Sequence, residues 1–243
     1  MLWILIGATF LLAGLVKGVI GMGLPTVAMG LLALTLPPAE AAAILVVPSL
    51  VTNVWQLLAG PRFATLARRL WPMMAAVLLG TIGGAGMLAG NVAGLAKIGL
   101  GIALIVYAVV GLAGIRPTVA ARHEPWLGPL VGAITGLVTG ATGVFVIPAV
   151  PYLQAIGLEK DELIQALGLS FTVSTIAMAA ALWGEGAFNT SQLGISLLAL
   201  LPALGGMFVG TWLRTRISAE TFRRCFFIGL LLLGAHLTLR GVL

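Results

Sequence analysis

Apolar runs long enough to cross a lipid bilayer recur along the whole chain, and no other feature of the sequence constrains the fold as strongly. An apolar run of about 18 residues or more is typical of a transmembrane helix. Only 8% of the 243 residues are charged and 60% are hydrophobic, whereas soluble domains carry about 25% charged residues. The sequence therefore predicts an all-α polytopic membrane protein. Ordinary spans of about 20 residues are expected at approximately 40–59, 70–90, 94–114, 162–183, 192–212 and 221–240.

Two further apolar stretches, 2–36 and about 126–156, have the wrong length for this pattern. Each is too long for one upright helix and too short for two full spans joined by a turn. Each is also interrupted near its middle, by "GVIGMGLP" in the first stretch and by "GATGVFVIP" in the second. We interpret both as re-entrant hairpins of broken helices, because irregular backbone at membrane depth must be buried in protein or line a wet cavity.

The two interrupted stretches also resemble one another. The "GLVKG" of residues 14–18 aligns with the "GLVTG" of residues 136–140, and Gly21 falls on Gly143. The same offset continues into the next predicted span of each half. Chance similarity between glycine-rich apolar segments is the alternative to a true repeat, and repeats are a common building plan of transporters. The expected division is repeat one at 1–115, a linker at 116–124 and repeat two at 125–243.

The basic residues discriminate between two topologies, because cytoplasmic loops carry an excess of Lys and Arg. If both interrupted stretches crossed the membrane once, the basic residues other than Lys17 would divide evenly between the two sides. If both stretches fold back as hairpins, only Lys97 and Arg240 face away from the rest. We therefore expect two inverted repeats, each a re-entrant hairpin plus three transmembrane helices, with a cytoplasmic linker and both termini non-cytoplasmic. The basic residues then expected on the cytoplasmic side are Arg62, Arg68, Arg69, Arg116, Arg122, Lys160, Arg214, Arg216, Arg223 and Arg224.

The broken hairpins have the features of an anion site. A half-helix that begins at a break points its free N–H groups and its positive dipole end into the cavity. Such half-helices are expected to begin near Gly23-Leu24-Pro25 and near Val144 or Phe145. Lys17 adds a positive charge at the first tip, although it could instead extend to the membrane surface. Glycines at the tips permit tight turns and close approach to a ligand, or close helix packing.

A polar stripe on the first full span completes the predicted site. Ser49, Thr52, Asn53 and Gln56 share one helix face, and the two amides are the expected ligands. The alternative is that these side chains only bind neighbouring helices. The predicted substrate-binding residues are Lys17, Gly18, Gly21, Gly23, Asn53, Gln56, Thr139, Gly140, Thr142 and Gly143.

The same segments carry a resemblance to a known family. "GLVKGVIGMGLPTV" and "EAAAILVVPSLVTNVWQ", echoed by "GLVTGATGVFVIP" and "ALGLSFTVSTIA", resemble the TauE/SafE family of sulfite exporters over nearly the whole chain. The resemblance implies a permease for sulfite, organosulfonates or related sulfur compounds.

The expected function is a secondary transporter, an exporter of a small sulfur-containing anion that works by alternating access. A passive anion channel and an uptake permease for another small organic anion remain alternatives. A membrane-embedded enzyme is disfavoured, since no catalytic set and no metal-ligand motif lies at membrane depth. The expected partners are the anion and the lipid of a bacterial-type inner membrane, with no nucleic acid and no cofactor. Close-packing motifs at Gly80-xxx-Gly84 and Gly206-xxx-Gly210 leave a homodimer open.

Overall fold

The computed structural model describes residues 2–89, 93–114, 118–187 and 190–242, and this part of the chain is helical, without strands. Arg116, which the topology prediction used, lies outside the described residues. The helices are α1 (Leu2–Ile20), α2 (Leu24–Leu32), α3 (Pro38–Leu58), α4 (Phe63–Gly84), α5 (Gly86–Ala89), α6 (Ala93–Ala113), α7 (Glu124–Thr142), α8 (Ala149–Ala155), α9 (Lys160–Gly184), α10 (Thr190–Leu213) and α11 (Ala219–Val242), with a 3-10 turn at Ala121–His123.

Within the described residues, 7 helices are long and apolar enough to cross a membrane. They include the six predicted spans, so the prediction of a polytopic helical membrane protein is confirmed. The second span begins earlier than expected, at Phe63. Its first turns contain Arg68 and Arg69, which the sequence interpretation had assigned to a loop. Arg69 is tolerated inside the helix because its guanidinium pairs with the Glu124 carboxylate at 2.7 Å.

The additional candidate span is α1, so the two helices of the first interrupted stretch differ in length. α1 has 19 residues, whereas α2 has 9. α1 contains no proline, and the turn after it is made by Gly21 and Gly23, both with positive φ. The first arm is therefore a helix of about 28 Å, and only the second arm is a short one.

The second interrupted stretch also has a long first arm, α7, followed by a short one. The sequence placed the start of this second arm near Val144 or Phe145, and that prediction is wrong, since α8 begins at Ala149 and has 7 residues. The physical reason is Pro148, because a proline disfavours helical backbone in the residue before it. Residues 144–146, further upstream, are also non-helical.

Glycines set the directions of two tightly packed helix pairs. A methyl group on Gly14 would collide with the Ala203 carbonyl, and one on Gly18 would collide with the Met207 carbonyl. The residue numbers increase in the same direction along both helices, so α1 and α10 are parallel. α4 and α7 pack in the same way and are also parallel, with Gly132, Gly136 and Gly140 against the carbonyls of Met73, Val77 and Thr81.

α3 and α9 cross the centre of the molecule in opposite directions. The Gln56 amide donates to the Ile164 carbonyl at 2.8 Å, while further along Ser49 and Thr175 share a hydrogen bond of 3.0 Å. In the most apolar windows, 67% of α3 and 61% of α9 are buried, against 28% for α10 and α11. α3 and α9 therefore form the core, whereas α10 and α11 face lipid.

α3 begins at the same end of the molecule as α1. Lys17, near the end of α1, bonds Thr52 near the end of α3. Ser196, near the start of α10, bonds the Ile44 carbonyl near the start of α3. Since α10 is parallel to α1, α3 runs in the same direction as α1. Residues 21–37 must therefore bring the chain back before α3 begins.

The second interrupted stretch returns as well. α7 begins with Glu124 and α8 ends at Ala155, yet both positions lie at one end of the molecule. Arg69 donates to the Glu124 carboxylate and to the Ile156 carbonyl, the latter at 2.9 Å. The Val119 amide, just before α7, donates to the Ala155 carbonyl at 2.8 Å.

The same end of the molecule collects the basic residues, and we call it the basic end. α1, α3, α6 and α10 finish there, and α4, α7, α9 and α11 begin there. Lys97 and Arg240 lie at the opposite end, because α6 begins and α11 finishes at that end. The described basic residues that define the basic end are Arg62, Arg68, Arg69, Arg122, Lys160, Arg214, Arg216, Arg223 and Arg224.

Candidate functional site

Lys17 is the one charged side chain that the described part of the protein buries; only 4% of its surface is exposed. It lies one turn before the end of α1. Its ammonium donates to the Thr52 hydroxyl at 3.2 Å and to the side-chain carbonyl of Asn53. No carboxylate within the described residues lies at ion-pair distance from it. The amine therefore points into the protein and not toward the membrane surface, and its neighbours are neutral.

The Lys17 contact belongs to a chain of hydrogen bonds through the core. The Asn53 amide donates to the Ser49 hydroxyl at 3.0 Å, and Ser49 is linked at 3.0 Å to Thr175 on α9. Both Asn53 and Ser49 are fully buried. Because the Asn53 amide group is bound to Ser49, its carbonyl oxygen is oriented toward Lys17. α1, α3 and α9 are thus connected by side chains that fix the position of one buried cation.

The turn after Lys17 leads into the N-terminus of α2. The Gly21 amide closes α1 on the Lys17 carbonyl at 2.8 Å, and Gly23 precedes α2 with φ 100°. α2 has no side-chain cap and carries Pro25 in its first turn. The Thr26 hydroxyl in that turn is fully buried, with no hydrogen-bond partner in the described part of the chain. This turn therefore offers unsatisfied donors beside a glycine bend.

The structure separates the predicted site residues into two groups. Lys17 and Asn53 are in direct contact, and Gly21 and Gly23 form the bend beyond Lys17. Gly18 and Gly140, by contrast, pack against helix backbones. The remaining predicted residues serve local contacts: Gln56 binds the Ile164 carbonyl, Thr139 and Thr142 bind carbonyls of α7, and Gly143 packs on Met29.

Sequence reasoning passed over Thr52 and Thr26 as ligands. Thr52 belonged to the polar stripe, but the two amides were preferred for their size; the helix turn aims the smaller Thr52 at Lys17. Thr26 follows Pro25 directly, and a hydroxyl beside a predicted helix start is a signal that could have identified it. Nothing in the sequence alone distinguishes Gln56 from Asn53, because the difference lies in which helix each side chain contacts.

A polytopic helical bundle with a cation buried beside a helix break is the architecture of a membrane transport protein. The chain belongs to a particular family of that class: its residues 6–237 match the family model described as Sulfite exporter TauE/SafE. The predicted family is confirmed, and the protein is an integral membrane protein of an anion-transporter family. Comparison with curated proteins and with solved structures gives no match.

Proposed function

We propose that the protein is a secondary transporter that exports a small sulfur-containing oxyanion, such as sulfite or an organosulfonate, across a bacterial-type inner membrane. The observation that carries the proposal is the buried Lys17 ammonium with only neutral partners. An uncompensated buried charge is costly, and ion pairing lowers that cost. A bound oxyanion would supply the missing negative charge.

The neighbours of Lys17 match an anion with several oxygens. An ammonium has three donors, and Thr52 and Asn53 accept two of them. The third donor, the free Thr26 hydroxyl and the uncapped start of α2 are further donors on the same hairpin. Helix starts favour negative charge because of their free N–H groups and dipole. We assign the binding role to this first hairpin.

The N-terminus of the short helix in the second hairpin does not bind the anion in our proposal, although the sequence predicted that it would. α8 is short, begins late and is preceded by an irregular segment. The Thr139 and Thr142 hydroxyls already donate to carbonyls, at 2.7 and 2.6 Å. The second hairpin contributes no ligands in our proposal, and its Gly143 packs on Met29 of α2.

Alternating access would come from two inverted repeats, 1–115 and 125–243, each a hairpin plus three spans. The helix directions support this division. Each helix of repeat one runs opposite to its counterpart in repeat two, in the pairs α1 and α7, α3 and α9, α4 and α10, and α6 and α11. The packing supports it too, since α1 lies on α10 as α7 lies on α4. The basic end would be cytoplasmic, with the linker 116–124 there and both termini on the opposite side.

The test is anion-dependent thermal stabilisation of the purified protein. A ligand that binds only the folded state adds about 2.7 kcal/mol at a concentration of 100 Kd. We expect sulfite or a sulfonate to stabilise the wild type and not Lys17→Met. Without anion, Lys17→Met should unfold at a temperature no lower than that of the wild type. Lys97→Met is the control for loss of a lysine at the opposite end.

Stabilisation that persists in Lys17→Met would contradict the site, and absence of stabilisation by every sulfur oxyanion in the wild type would contradict the substrate class. Counterflow in proteoliposomes then separates a carrier from a channel, because only a carrier exchanges labelled for unlabelled anion against a gradient.

A further inference from the structure

A cavity of about 380 Å³ lies at the basic end, between the tip of the first hairpin and α8. Its wall includes Met22 of the tip, Pro151 and Gln154 of α8, Tyr107 of α6, and Arg223 of α11. A second cavity of about 430 Å³ shares Arg223 with the first and is also lined by Glu220 and Arg224. The two spaces adjoin, since they share lining residues, and we call the first one, which reaches the tip, the vestibule.

The vestibule carries positive charge. Arg223 and Arg224 share one carboxylate, that of Glu220, at 3.8 and 3.2 Å. Two guanidinium groups and one carboxylate leave a net positive charge at the mouth. Arg223 lines both cavities, whereas Arg224 lines only the second one. Arg223 is therefore the arginine positioned to contact an anion in either cavity.

The inner wall of the vestibule carries a hydroxyl that is poorly satisfied. Tyr107 is only 2% exposed, and its hydroxyl donates to the Met22 thioether sulfur at 3.2 Å. Thioether sulfur is a weak acceptor. The ring is held edge-on against Phe227, with centroids 5.1 Å apart, so the hydroxyl can turn toward a stronger acceptor without loss of ring packing. An oxyanion in the vestibule would be such an acceptor.

At the opposite end of the molecule, the tip of the second hairpin packs directly on the short helix of the first. The repeat offset that places Gly21 on Gly143 also places Met29 on Pro151. A Cβ on Gly143 would lie 2.6 Å from the Met29 methyl, whereas a Cβ on Gly21 would have no neighbour within 4 Å. The hairpin tip and short helix are thus in contact at one end and apart at the basic end. The vestibule therefore lies at the end of the molecule where a cavity separates the hairpin tip from the short helix.

We propose that the vestibule is a second oxyanion site, in which Arg223, Gln154 and the Tyr107 hydroxyl bind the transported anion before it passes the hairpin tip to Lys17. The site rests on the proposed function. Ile20, which also lines the vestibule, is one helical turn beyond Lys17, so the two sites are successive positions on one path. The Tyr107–Met22 bond lies between them and opens when the hydroxyl turns to the anion.

The experiment compares Arg223→Gln with Arg224→Gln, a matched control on the same helix that shares the same carboxylate. Sulfite uptake is measured in inside-out and right-side-out membrane vesicles. We expect Arg223→Gln to raise the KM about tenfold, the loss of one charge-assisted hydrogen bond, only when sulfite is offered at the basic end. Arg224→Gln should change the KM less than about twofold. Equal KM values for the two variants would overturn the proposal.

Tyr107→Phe gives a second readout, because it keeps the ring contacts and removes only the donor. It should raise the KM in the same vesicles as Arg223→Gln and leave thermal unfolding without anion unchanged. A KM equal to that of the wild type would remove Tyr107 from the site and overturn the assignment.

Lipid composition and the Lys17→Met variant separate the vestibule site from a lipid headgroup site and from the site at Lys17. Reconstitution in phosphatidylcholine with and without phosphatidylglycerol distinguishes the free anion from a headgroup: an Arg223→Gln effect seen only with the anionic lipid overturns the proposal. If Lys17→Met stops transport while Arg223→Gln behaves like the wild type, only the vestibule site fails. If Lys17→Met transports normally, the site at Lys17 fails, and if the wild type transports no sulfur oxyanion, the proposed function fails.

Discussion

At the scale of single residues, the protein holds a lysine in its interior by means of neutral acceptors. Amide and hydroxyl oxygens orient the ammonium without cancelling its charge, so the site keeps its attraction for an anion. An acidic partner would satisfy Lys17 permanently. The choice of Asn at position 53 is therefore part of the proposed chemistry and not only a helix contact.

Asn53→Asp tests this interpretation. The new carboxylate would lie against the Lys17 ammonium and form an internal ion pair that competes with the transported anion. We expect the variant to unfold at the same or a higher temperature than the wild type and to bind sulfite at least about tenfold more weakly. Calorimetric titration of the purified protein measures the binding, and Asn53→Ser, which is neutral, is the control. Wild-type affinity in Asn53→Asp would show that the anion does not bind at Lys17.

At the scale of helices, missing backbone groups are compensated from other helices. Pro48 lies inside α3 and has no N–H, so the Ile44 carbonyl one turn earlier loses its usual donor. The Ser196 hydroxyl of α10 supplies that donor at 2.7 Å and accepts the Val47 amide at 3.0 Å. The proline therefore ties α3 to α10 instead of breaking the span.

Glycine contacts pack the long helices α1 and α7 against α10 and α4. Gly206 and Gly210 of α10 approach the carbonyls of Leu11 and Leu15, and Gly80 and Gly84 of α4 approach those of Ala133 and Leu137. The two small-residue motifs that left a homodimer open are thus occupied inside the chain. They give no surface for self-association.

Gly210→Ala and Gly205→Ala test this packing on one helix. A Cβ at Gly210 would collide with the Leu15 carbonyl, whereas a Cβ at Gly205 has no neighbour within 4 Å. We expect Gly210→Ala to destabilise the protein by about 1–3 kcal/mol, as overpacking does, and Gly205→Ala to be neutral. Thermal unfolding in detergent measures both. Equal unfolding temperatures would mean that α1 and α10 do not pack through these glycines.

At the scale of the whole molecule, the exposed tryptophans fit a surface that contacts a membrane. All 6 tryptophans are exposed, from 52% for Trp212 to 72% for Trp183. Tryptophan is enriched where lipid headgroups meet the hydrocarbon. The Arg216 guanidinium lies 4.1 Å above the Trp212 ring, which joins a basic side chain to an aromatic one at the basic end.

Thiol accessibility in intact cells tests the orientation. Cys225 is exposed and is first replaced by serine. We then expect Glu185→Cys, at the end opposite the basic end, to react with a membrane-impermeant maleimide applied outside. Arg122→Cys should react only after permeabilisation, because the proposed topology places the basic end in the cytoplasm. The reverse pattern would invert the topology, and labelling of both from outside would contradict the hairpins.

The sequence by itself determined the membrane class, the two interrupted stretches, the family and the candidate Lys17. The membrane class, the interrupted stretches and Lys17 follow from the length of apolar runs, the positions of glycine and proline, and the distribution of charge. The family follows from the resemblance of the quoted motifs. All of these features are local in the chain. The distribution of basic residues also predicted that both stretches return; this stays a prediction, and the helix directions are an argument for it.

Only the tertiary structure decided what each polar group contacts. Lys17 meets Asn53, 36 residues away, and Ser196 reaches Ile44, 152 residues away. Such pairings depend on which helix faces lie together, and local pattern cannot specify this. The same reason explains why Gly18 and Gly140 serve helix packing, why Gln56 turns to α9, and why the vestibule was not foreseen. A cavity is the space that packed helices leave, so it exists only once their arrangement is fixed.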